Sequence, residues 1–523
     1  MKRGFHCNDQ EQQSQLIANL IPLLEKQYTA SVTTIETHIS TILLVEEQAF
    51  KIKKPVNFGF LDFSTLEQRH HYCQEELRLN GRTAPAIYQQ LVAIKGSIEV
   101  PQISGEGVAI EYMVQMARFE QDQILQRLLS TPHFGVEVID KLASSIVAFH
   151  QSIPAADGSE AYVQPKIIEE AVQQNFDQIR PHLEKVPLEA QRKLASLESW
   201  SEQQYRHLKP LLFSRVEQGF VRECHGDMHL GNIALIDGQI TLFDGIEFNE
   251  AFRWIDVMSD LSFLLMDLQR HGEVGCATRL LNQYLEVSGD YSGVQLLPFY
   301  QIYRAMVRIK VGLFRLVQLP EEDAEYEVLQ GEIAESVELA DCLMNQHCGA
   351  LMITHGVSGS GKSYVSQQVL ESMNAIRIRS DVERIRMFPE KKGRYSSAAT
   401  LQTYQKIHHL AHSVAEGGYT VLLDATYLKQ AQREQAVECA DEIGCNFLIL
   451  DMQCSREELE RRIRHRIELS NDPSEADIEV LHQQLQQQEP LVNEEITHAL
   501  VVTPEVDLKA LLKGVASLQR CAE

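Results

Sequence analysis

The segment GVSGSGKS at residues 356–363, directly behind the apolar run LMIT at 351–354, constrains this chain more than any other stretch. It fits G-x-x-x-x-G-K-S without a gap. That spacing is the one a phosphate-binding loop needs. Its glycines let successive backbone N–H groups face an anion, its lysine reaches the β- and γ-phosphates, and its serine hydroxyl can ligate Mg2+. Gly356, Ser358, Gly359, Ser360, Gly361, Lys362 and Ser363 are therefore the expected nucleotide-binding residues, with Ser363 also a metal ligand. Such a loop requires a strand before it and a helix after it, and SYVSQQVLESM supplies the helix. Strands expected at 351–354, 375–378, 420–424 and 446–451 alternate with helices, as a parallel α/β sheet demands.

At 523 residues the chain is too long for one ordinary core. What precedes the loop also reads differently. Residues 16–30 carry a helical apolar pattern, and VTTI, ISTILLV and AFKIK between Thr33 and Lys53 read as short strands. Residues 64–80 read as a helix with a capping box of Ser64 and Glu67. LVAIKG, SIEVPQI and VAIEYMV are further strands, whereas 121–215 and 254–345 read as helical. The segment NQHCGA at 345–350 is the expected boundary, giving domains at 1–346 and 348–523 that each fold alone.

A second cluster lies in the first of these domains, where residues 225–232 read HGDMHLGN and 242–248 read LFDGIEF. Phosphoryl transfer needs an acceptor for the hydroxyl proton, metal-held phosphates and positioning. Asp227, in a tight loop after His225 and Gly226, can take the proton. Asn232 lies five residues on, and Asp244 follows the hairpin IALIDGQITLF with Asp237-Gly238 as its turn. Oxygen donors of this kind suit Mg2+. Upstream, AFKIKKPV offers Lys51 and Lys53 on one face of a strand, and the following helix offers Glu75 and Glu76. Lys53 and Glu76 are the favoured ion pair, with Lys51 and Glu75 left open by the sequence.

The order HGDxHxxN, then an aspartate after a strand, resembles the aminoglycoside-phosphotransferase and choline-kinase group of eukaryotic-like kinases, over about residues 30–345. The resemblance implies an α+β kinase fold with a strand-rich N-lobe and a helical C-lobe, using ATP and Mg2+. It places Asp256 and Asp260 in a region that braces the catalytic loop, although as bare carboxylates they also read as solvated or N-capping groups. It implies that the backbone of IEYMV at 110–114 hydrogen-bonds adenine. The glycine-rich loop of protein kinases is absent, and TIETHIS at 34–40 stands in its place. A longer stretch, KIKKPVNFGFLDFSTLEQR through FRWIDV, resembles a bacterial family in which a phosphotransferase-like domain precedes a P-loop kinase-like domain.

Beyond the loop, AIRIRSDVERIR places Asp381 and Arg384 after the second strand, and VLLDATYLKQAQR places Asp424 at the end of another. This order resembles P-loop kinases of the polynucleotide-kinase and zeta-toxin type. The resemblance implies that Asp381 takes the acceptor proton, Arg384 binds a phosphate and Asp424 helps hold Mg2+. A purely structural reading makes Asp381 an N-cap. SREELERRIRHR opens with a capping box of Ser455 and Glu458, and its Arg462 and Arg466 lie one turn apart. In small P-loop kinases such arginines close over the phosphates. Otherwise they form a solvated basic face. His408 and His412 are also one turn apart and read as helix-surface histidines.

A net charge of −25 and a pI near 5.2 exclude a global positive field, so no bulk nucleic-acid binding is expected. No apolar run approaches a membrane span, and MKRGFHCNDQEQQ has no apolar core of a secretory signal. Ten cysteines with no C-x-x-C pair fit reduced thiols, hence a cytoplasmic protein. The expectation is a bifunctional ATP-dependent phosphotransferase acting on small-molecule or nucleotide-like hydroxyls. The alternatives are that one domain is a nucleotide-binding module gating the other, or that the target is a protein. The acceptors and the oligomeric state are not encoded in any motif.

Overall fold

The computed structural model describes residues 9–59, 61–103, 105–469, 477–504, 506–507, 510 and 513. The chain divides into two compact units. The first takes in the described residues up to Lys141, with Ala148–Ile168 and Lys209–Leu264. The second takes in Leu142–Val147, Glu169–Leu208 and the chain from Leu265 onward.

In the first unit, the helix Gln10–Tyr28 is capped by Asp9, whose carboxylate accepts from the Gln12 N–H at 2.8 Å. Leu16, Leu20 and Leu24 recur every fourth residue, so they share one face, and all three are fully buried against Leu43, Val45, Phe50 and Ile52. Each such leucine contributes about 1.5–3 kcal/mol of burial. The sheet beneath is antiparallel. Its strands are β1 (Thr33–Glu36), β2 (Ser40–Val45), β3 (Gln48–Lys53), β4 (Tyr88–Gly96), β5 (Pro101–Ile103) and β6 (Glu111–Ala117), in the order β1-β2-β3-β6-β4-β5. Residues 111–116 of β6 are in register with β4, so the backbone expected to meet adenine is engaged in the sheet on that side.

The helix Leu66–Asn80 starts one residue later than the capping box expected from Ser64 and Glu67. Its box is Thr65 with Gln68. Asp62 is the reason: it draws the Ser64 hydroxyl to 2.6 Å in a turn of its own, which leaves Thr65 as the last extended residue. Four short strands carry the segment at 221–256: β7 (Val221–Glu223), β8 (Ile233–Ile236), β9 (Gln239–Leu242) and β10 (Trp254–Asp256). β8 and β9 form the expected hairpin. Its turn has Asp237 at φ 50° and Gly238 at φ 74°, the left-handed pair that an Asp-Gly turn supplies.

The second unit contains a five-stranded parallel sheet of β11 (Ala350–His355), β12 (Ala375–Arg379), β13 (Thr420–Asp424), β14 (Asn446–Met452) and β15 (Ala499–Val502), in the order β12-β13-β11-β14-β15. β11 is buried along its whole length, as a central strand covered on both faces must be. β15 escapes the sequence reading because it is a four-residue edge strand with only Val502 fully buried, which leaves almost no apolar signal.

The helices Val274–Ser288, Leu297–Gln318 and Ala324–Met344 belong to this same unit. The helix Val274–Ser288 covers the outer edge of β12. The Asn282 side chain donates to the Ala375 carbonyl at 2.9 Å and accepts from the Arg377 N–H at 2.7 Å. The Tyr291 hydroxyl donates to the Arg377 carbonyl at 3.3 Å. An edge strand thus receives its missing partners from side chains.

Candidate active sites

The first candidate site is built on the loop at 225–232, braced by buried side chains. Gly226 sits at φ 83°, and a Cβ there would lie 2.6 Å from the Phe252 carbonyl oxygen, so only glycine fits. Asp260 accepts from the N–H groups of His225 and Gly226 at 3.1 and 2.9 Å and lies 3.2 Å from His150 Nε2. Burial opposes its charge, but the hydrogen bond and charge of His150, with the charge and backbone N–H of His225, together outweigh it and lower its pKa. Asp256 does a different job, forming a buried pair with Arg215 at 2.6 Å. On this footing the loop presents Asp227. The Asn232 amide donates to the Asp227 carboxylate at 2.9 Å and to its backbone carbonyl at 3.0 Å. His225 is buried, which lowers its pKa, and its Nε2 lies 2.9 Å from the Phe243 carbonyl oxygen.

Asp244 follows β9 in a left-handed conformation, φ 61°, held by its N–H donating to the Tyr88 hydroxyl at 3.1 Å. The next residue, Gly245, donates to Asn80 at 2.8 Å. Asp244 therefore projects from a strained turn fixed by the helix and sheet of the strand-rich lobe. Lys51 lies 2.7 Å from it and 2.8 Å from Glu76. Lys53 lies 2.6 Å from the other oxygen of Glu76 and also pairs with Glu247. Both lysines thus meet Glu76, which confirms that they share a face. Glu75 goes elsewhere, to Arg78 at 2.8 Å and Arg253 at 3.4 Å. Burial opposes ionisation of Glu76, yet the two ammonium groups outweigh it and hold the carboxyl at about 2. Burial works against the charge on each lysine as well. Asp244 and Glu76 outweigh it at Lys51, as do Glu247 and Glu76 at Lys53, so both are raised. Glu247 is raised in its turn, by burial that Lys53 only partly offsets.

The second site grows from the C-terminal end of β11. Gly356, Gly359 and Gly361 adopt φ of 145°, 83° and 98°. At Gly356 a Cβ would press on the Met452 carbonyl and the Ser360 hydroxyl, each at 3.0 Å. The loop then enters the helix Lys362–Met373. Lys362 Nζ donates to the carbonyls of Gly356 and Val357 at 3.1 and 2.8 Å, arched over the loop where phosphates would lie. The Ser363 hydroxyl donates to Asp424 at 3.0 Å. A hydroxyl and a carboxylate converging at the end of a strand are the hard donors that Mg2+ takes, so the residues present fit the ion.

Residues 351–491 match the family model of an AAA domain. The chain is 28% identical over 433 residues to uncharacterised proteins of Mycobacterium bovis and Mycobacterium tuberculosis, covering 80% of this chain and 83% of theirs. Among solved structures it is similar to a choline/ethanolamine kinase family protein from Mesorhizobium loti, at 11% identity, 63% of this chain, 94% of that one and a TM-score of 0.37. It is also similar to the APS kinase of Mycobacterium tuberculosis, at 19% identity, 33% of this chain, 99% of that one and a TM-score of 0.26. Likenesses this low carry no substrate. The architecture itself is plain: a six-stranded antiparallel sheet with helices, followed by a P-loop α/β fold with a parallel sheet. Among the described residues, no helix is long and apolar enough to cross a membrane.

Of the remaining expected residues, Asp381 lies in the first turn of the helix Ser380–Met387, whose N-cap is Arg379, so the N-cap reading of Asp381 does not hold. Arg384 is buried, with its guanidinium 5.0 Å from the Tyr395 ring centroid. Arg462 bonds Glu458 at 2.7 Å and the Ser360 carbonyl at 3.3 Å, which seats it against the phosphate loop. The Arg466 side chain lies outside the described residues. His408 is half-buried rather than superficial, 3.0 Å from the Tyr427 hydroxyl.

Sequence reading missed Glu247, Tyr88 and Asn80, which complete the first site. Glu247 carried a signal, since an acidic residue three after Asp244 in an otherwise apolar segment needs a buried cation. Tyr88 and Asn80 carried none.

Proposed function

We propose that the chain is an ATP-dependent phosphotransferase with two sites, each taking Mg2+–ATP and each passing the γ-phosphate to a hydroxyl of a small-molecule or nucleotide-like acceptor. The observation that carries this reading is a repeated pairing. Each unit sets a lysine and hard oxygen donors together, Lys51 with Asp244 at 2.7 Å in one, and Lys362 beside the Ser363–Asp424 pair at 3.0 Å in the other. We assign the first site to residues 1–346 and the second to 348–523, in the cytoplasm.

In the first site Asp227 takes the proton as the acceptor oxygen bonds to the γ-phosphorus and the bond to the β-phosphate oxygen breaks, releasing ADP. Lys51, rather than Lys53, faces the phosphates. It is the lysine that touches Asp244, whereas Lys53 is turned into the buried carboxylates Glu76 and Glu247. Asn232 and Asp244 hold Mg2+. In the second site the backbone of Gly356, Ser358, Gly359, Ser360 and Gly361 cradles the phosphates, Lys362 neutralises them, and Ser363 and Asp424 hold the metal. Asp381 accepts the proton there, while Arg384, Arg462 and Arg466 bind phosphate oxygens. Bound Mg2+ supplies charge neutralisation of the β- and γ-oxygens.

Calorimetric titration tests the count. The full chain should take up two ATP equivalents, and Lys362→Ala only one. A single equivalent in the wild type, unchanged by that substitution, would refute the second site. Screening metabolite hydroxyls with ATP and the full chain then identifies the acceptors, and phosphorylation of protein acceptors alone would replace the small-molecule reading.

A further inference from the structure

A cavity of 530 Å³ lies in the second unit, behind the phosphate loop. Side chains alternate along a strand, so neighbours in sequence face opposite sides of a sheet. Leu500 and Val502 of β15 pack with Val365 and Val369 of the helix that follows the loop. Of β15 the cavity takes only the alternate residues, Ala499 and Val501, and of β14 it takes Asp451 with its neighbour Met452. Asp451 stands in register with His355, the last residue of β11, which lines the cavity too. The cavity therefore lies on the sheet face turned away from the helix of the loop. His355 is 2% exposed and Ser360, a further lining residue, 8%. Among the described residues, neither His355 Nε2 nor the Ser360 hydroxyl has a hydrogen-bond partner. That hydroxyl is turned back under the loop, 3.0 Å from where a Cβ on Gly356 would stand, and the phosphate cradle uses only the backbone of Ser360.

The chemistry of these two groups selects the occupant. Asp451 lies 2.6 Å from His355 Nδ1, and Gln453 donates to its other oxygen at 2.8 Å. An ionised carboxylate only accepts, so Nδ1 carries the proton, and Nε2 of the neutral ring offers a lone pair to the cavity. No lysine or arginine is among the residues that line the cavity, so nothing in its wall balances an anion. The rest of the wall is largely apolar, with Val357, Leu459, Leu485, Ile496 and Val501. Ile496 and Val501 are 55% and 51% exposed, which gives the cavity an apolar mouth open to solvent. Its volume is that of a small-molecule pocket. We propose that this cavity is a binding site for a small uncharged aromatic molecule carrying an O–H or N–H group that donates to His355 Nε2. A rigid ring buries apolar area with no rotamers to freeze, and a ring-borne O–H or N–H is a strong neutral donor. The Ser360 hydroxyl both donates and accepts, so it adapts to a second polar atom of the ligand. The site goes beyond the nucleotide reading. It lies across the sheet from the phosphate-loop helix, so it fills while nucleotide is bound.

The probe is naphthol, titrated by fluorescence into the full chain in slightly alkaline buffer. A non-hydrolysable ATP analogue and Mg2+ are kept saturating, so that the nucleotide sites are filled. One equivalent of naphthol should bind. Its methyl ether has the same rings and no donor. The ether should bind about ten- to a hundredfold more weakly, because it leaves the imidazole lone pair buried and unpaired. His355→Phe keeps a ring in place and removes the acceptor, so naphthol should fall to the affinity of its ether. In the chain with isotope-labelled histidine, the nitrogen signal that His355→Phe removes should shift with naphthol and stay put with the ether. Binding of naphthol only when the analogue is left out would make the cavity part of a nucleotide site. Equal affinity of the ether would make the imidazole irrelevant, and no binding at all would leave the cavity to water. Each of these results overturns the proposal. His355→Phe also strips Asp451 of a donor. If it does not fold by circular dichroism, Val501→Trp blocks the mouth from a half-exposed position on the edge strand. That variant should abolish naphthol uptake and keep the nucleotide equivalents, and unchanged uptake overturns the proposal equally.

Discussion

The two sites are assembled in opposite ways. The second is local: eight consecutive residues, 356–363, form a loop from their own backbone, and Lys362 is satisfied by carbonyls only five and six residues before it. The first is stitched from distant parts of the chain. Lys51 meets Asp244 across 193 residues, and Lys53 meets Glu247 across 194. A site made of backbone needs glycines and one cation in a fixed spacing. A site made of side chains needs the whole lobe folded around a buried charge cluster. The second should therefore lose function without losing structure when one residue is changed, whereas the first should couple function to stability.

The largest expected effect probes chemistry in the first site. Asp227→Asn keeps the shape and the amide contact from Asn232 but removes the proton acceptor. Turnover by the first site should fall by about 10²–10⁴-fold with nucleotide binding intact. Single-turnover assays measure this, in a Lys362→Ala background that silences the second site, and wild-type turnover there would remove Asp227 from its role. Next in size is the buried cluster. Lys53→Met leaves Glu76 and Glu247 short of a cation at a site 1% exposed, so thermal unfolding should show a loss of about 3–5 kcal/mol. The contrasting change is Lys362→Ala. It should weaken nucleotide binding at the second site by about ten- to a hundredfold, with the melting temperature unmoved in the absence of ATP. Equal destabilisation by the two lysine substitutions would dissolve the contrast.

The same contrast explains what the sequence made legible. GVSGSGKS between its strand and helix, four of the five parallel strands and the contact of Asn232 with Asp227 were legible, because short-range spacing and apolar runs encode them. Period-2 alternation placed Lys51 and Lys53 on one face. It did not distinguish their roles, since that depends on Asp244 and Glu247 arriving from beyond residue 240. Glu75 and Glu76 are adjacent in sequence but on different sides of their helix. Only the docking of Arg78 and Arg253 shows which faces away. The capping box shifted by one residue because an aspartate two positions earlier competed for the serine, a local rivalry that pattern matching does not weigh. Asn282 had no signal at all: its helix covers an edge strand, and a side-chain amide replacing a strand neighbour leaves no periodic trace.

The smallest expected effect separates the two regions by pH. His408 is held down at about 4, first by burial and then by the neighbouring charge of His412. Its ordinary value is near 6.5, so between about pH 6.5 and 4 the unfolded chain binds a proton that the folded chain refuses. The stability His408 contributes is complete above pH 6.5 and is lost as pH falls through that window. The full shift corresponds to about 3 kcal/mol, and partial exposure reduces this to about 2 kcal/mol. Glu76, held at about 2, acts in a lower window: its contribution is present above pH 4.5 and is lost as pH falls toward 2, with Glu247, raised by burial, offsetting part of it. Acidification should therefore loosen the region around His408 before the Glu76 cluster, while His225, whose pKa burial also lowers, gives the first unit's loop at 225–232 an acid response of its own. Hydrogen exchange read by mass spectrometry at pH 7, 5 and 3.5 follows both, with peptides around 404–427 losing protection before those around 49–80. His408→Gln, which keeps a hydrogen-bonding group but does not titrate, should flatten the response of the second unit between pH 7 and 5 and leave the first unit's response in place. If peptides around 49–80 open before those around 404–427, or His408→Gln changes nothing, His408 is not the group that sets the acid limit of the second unit.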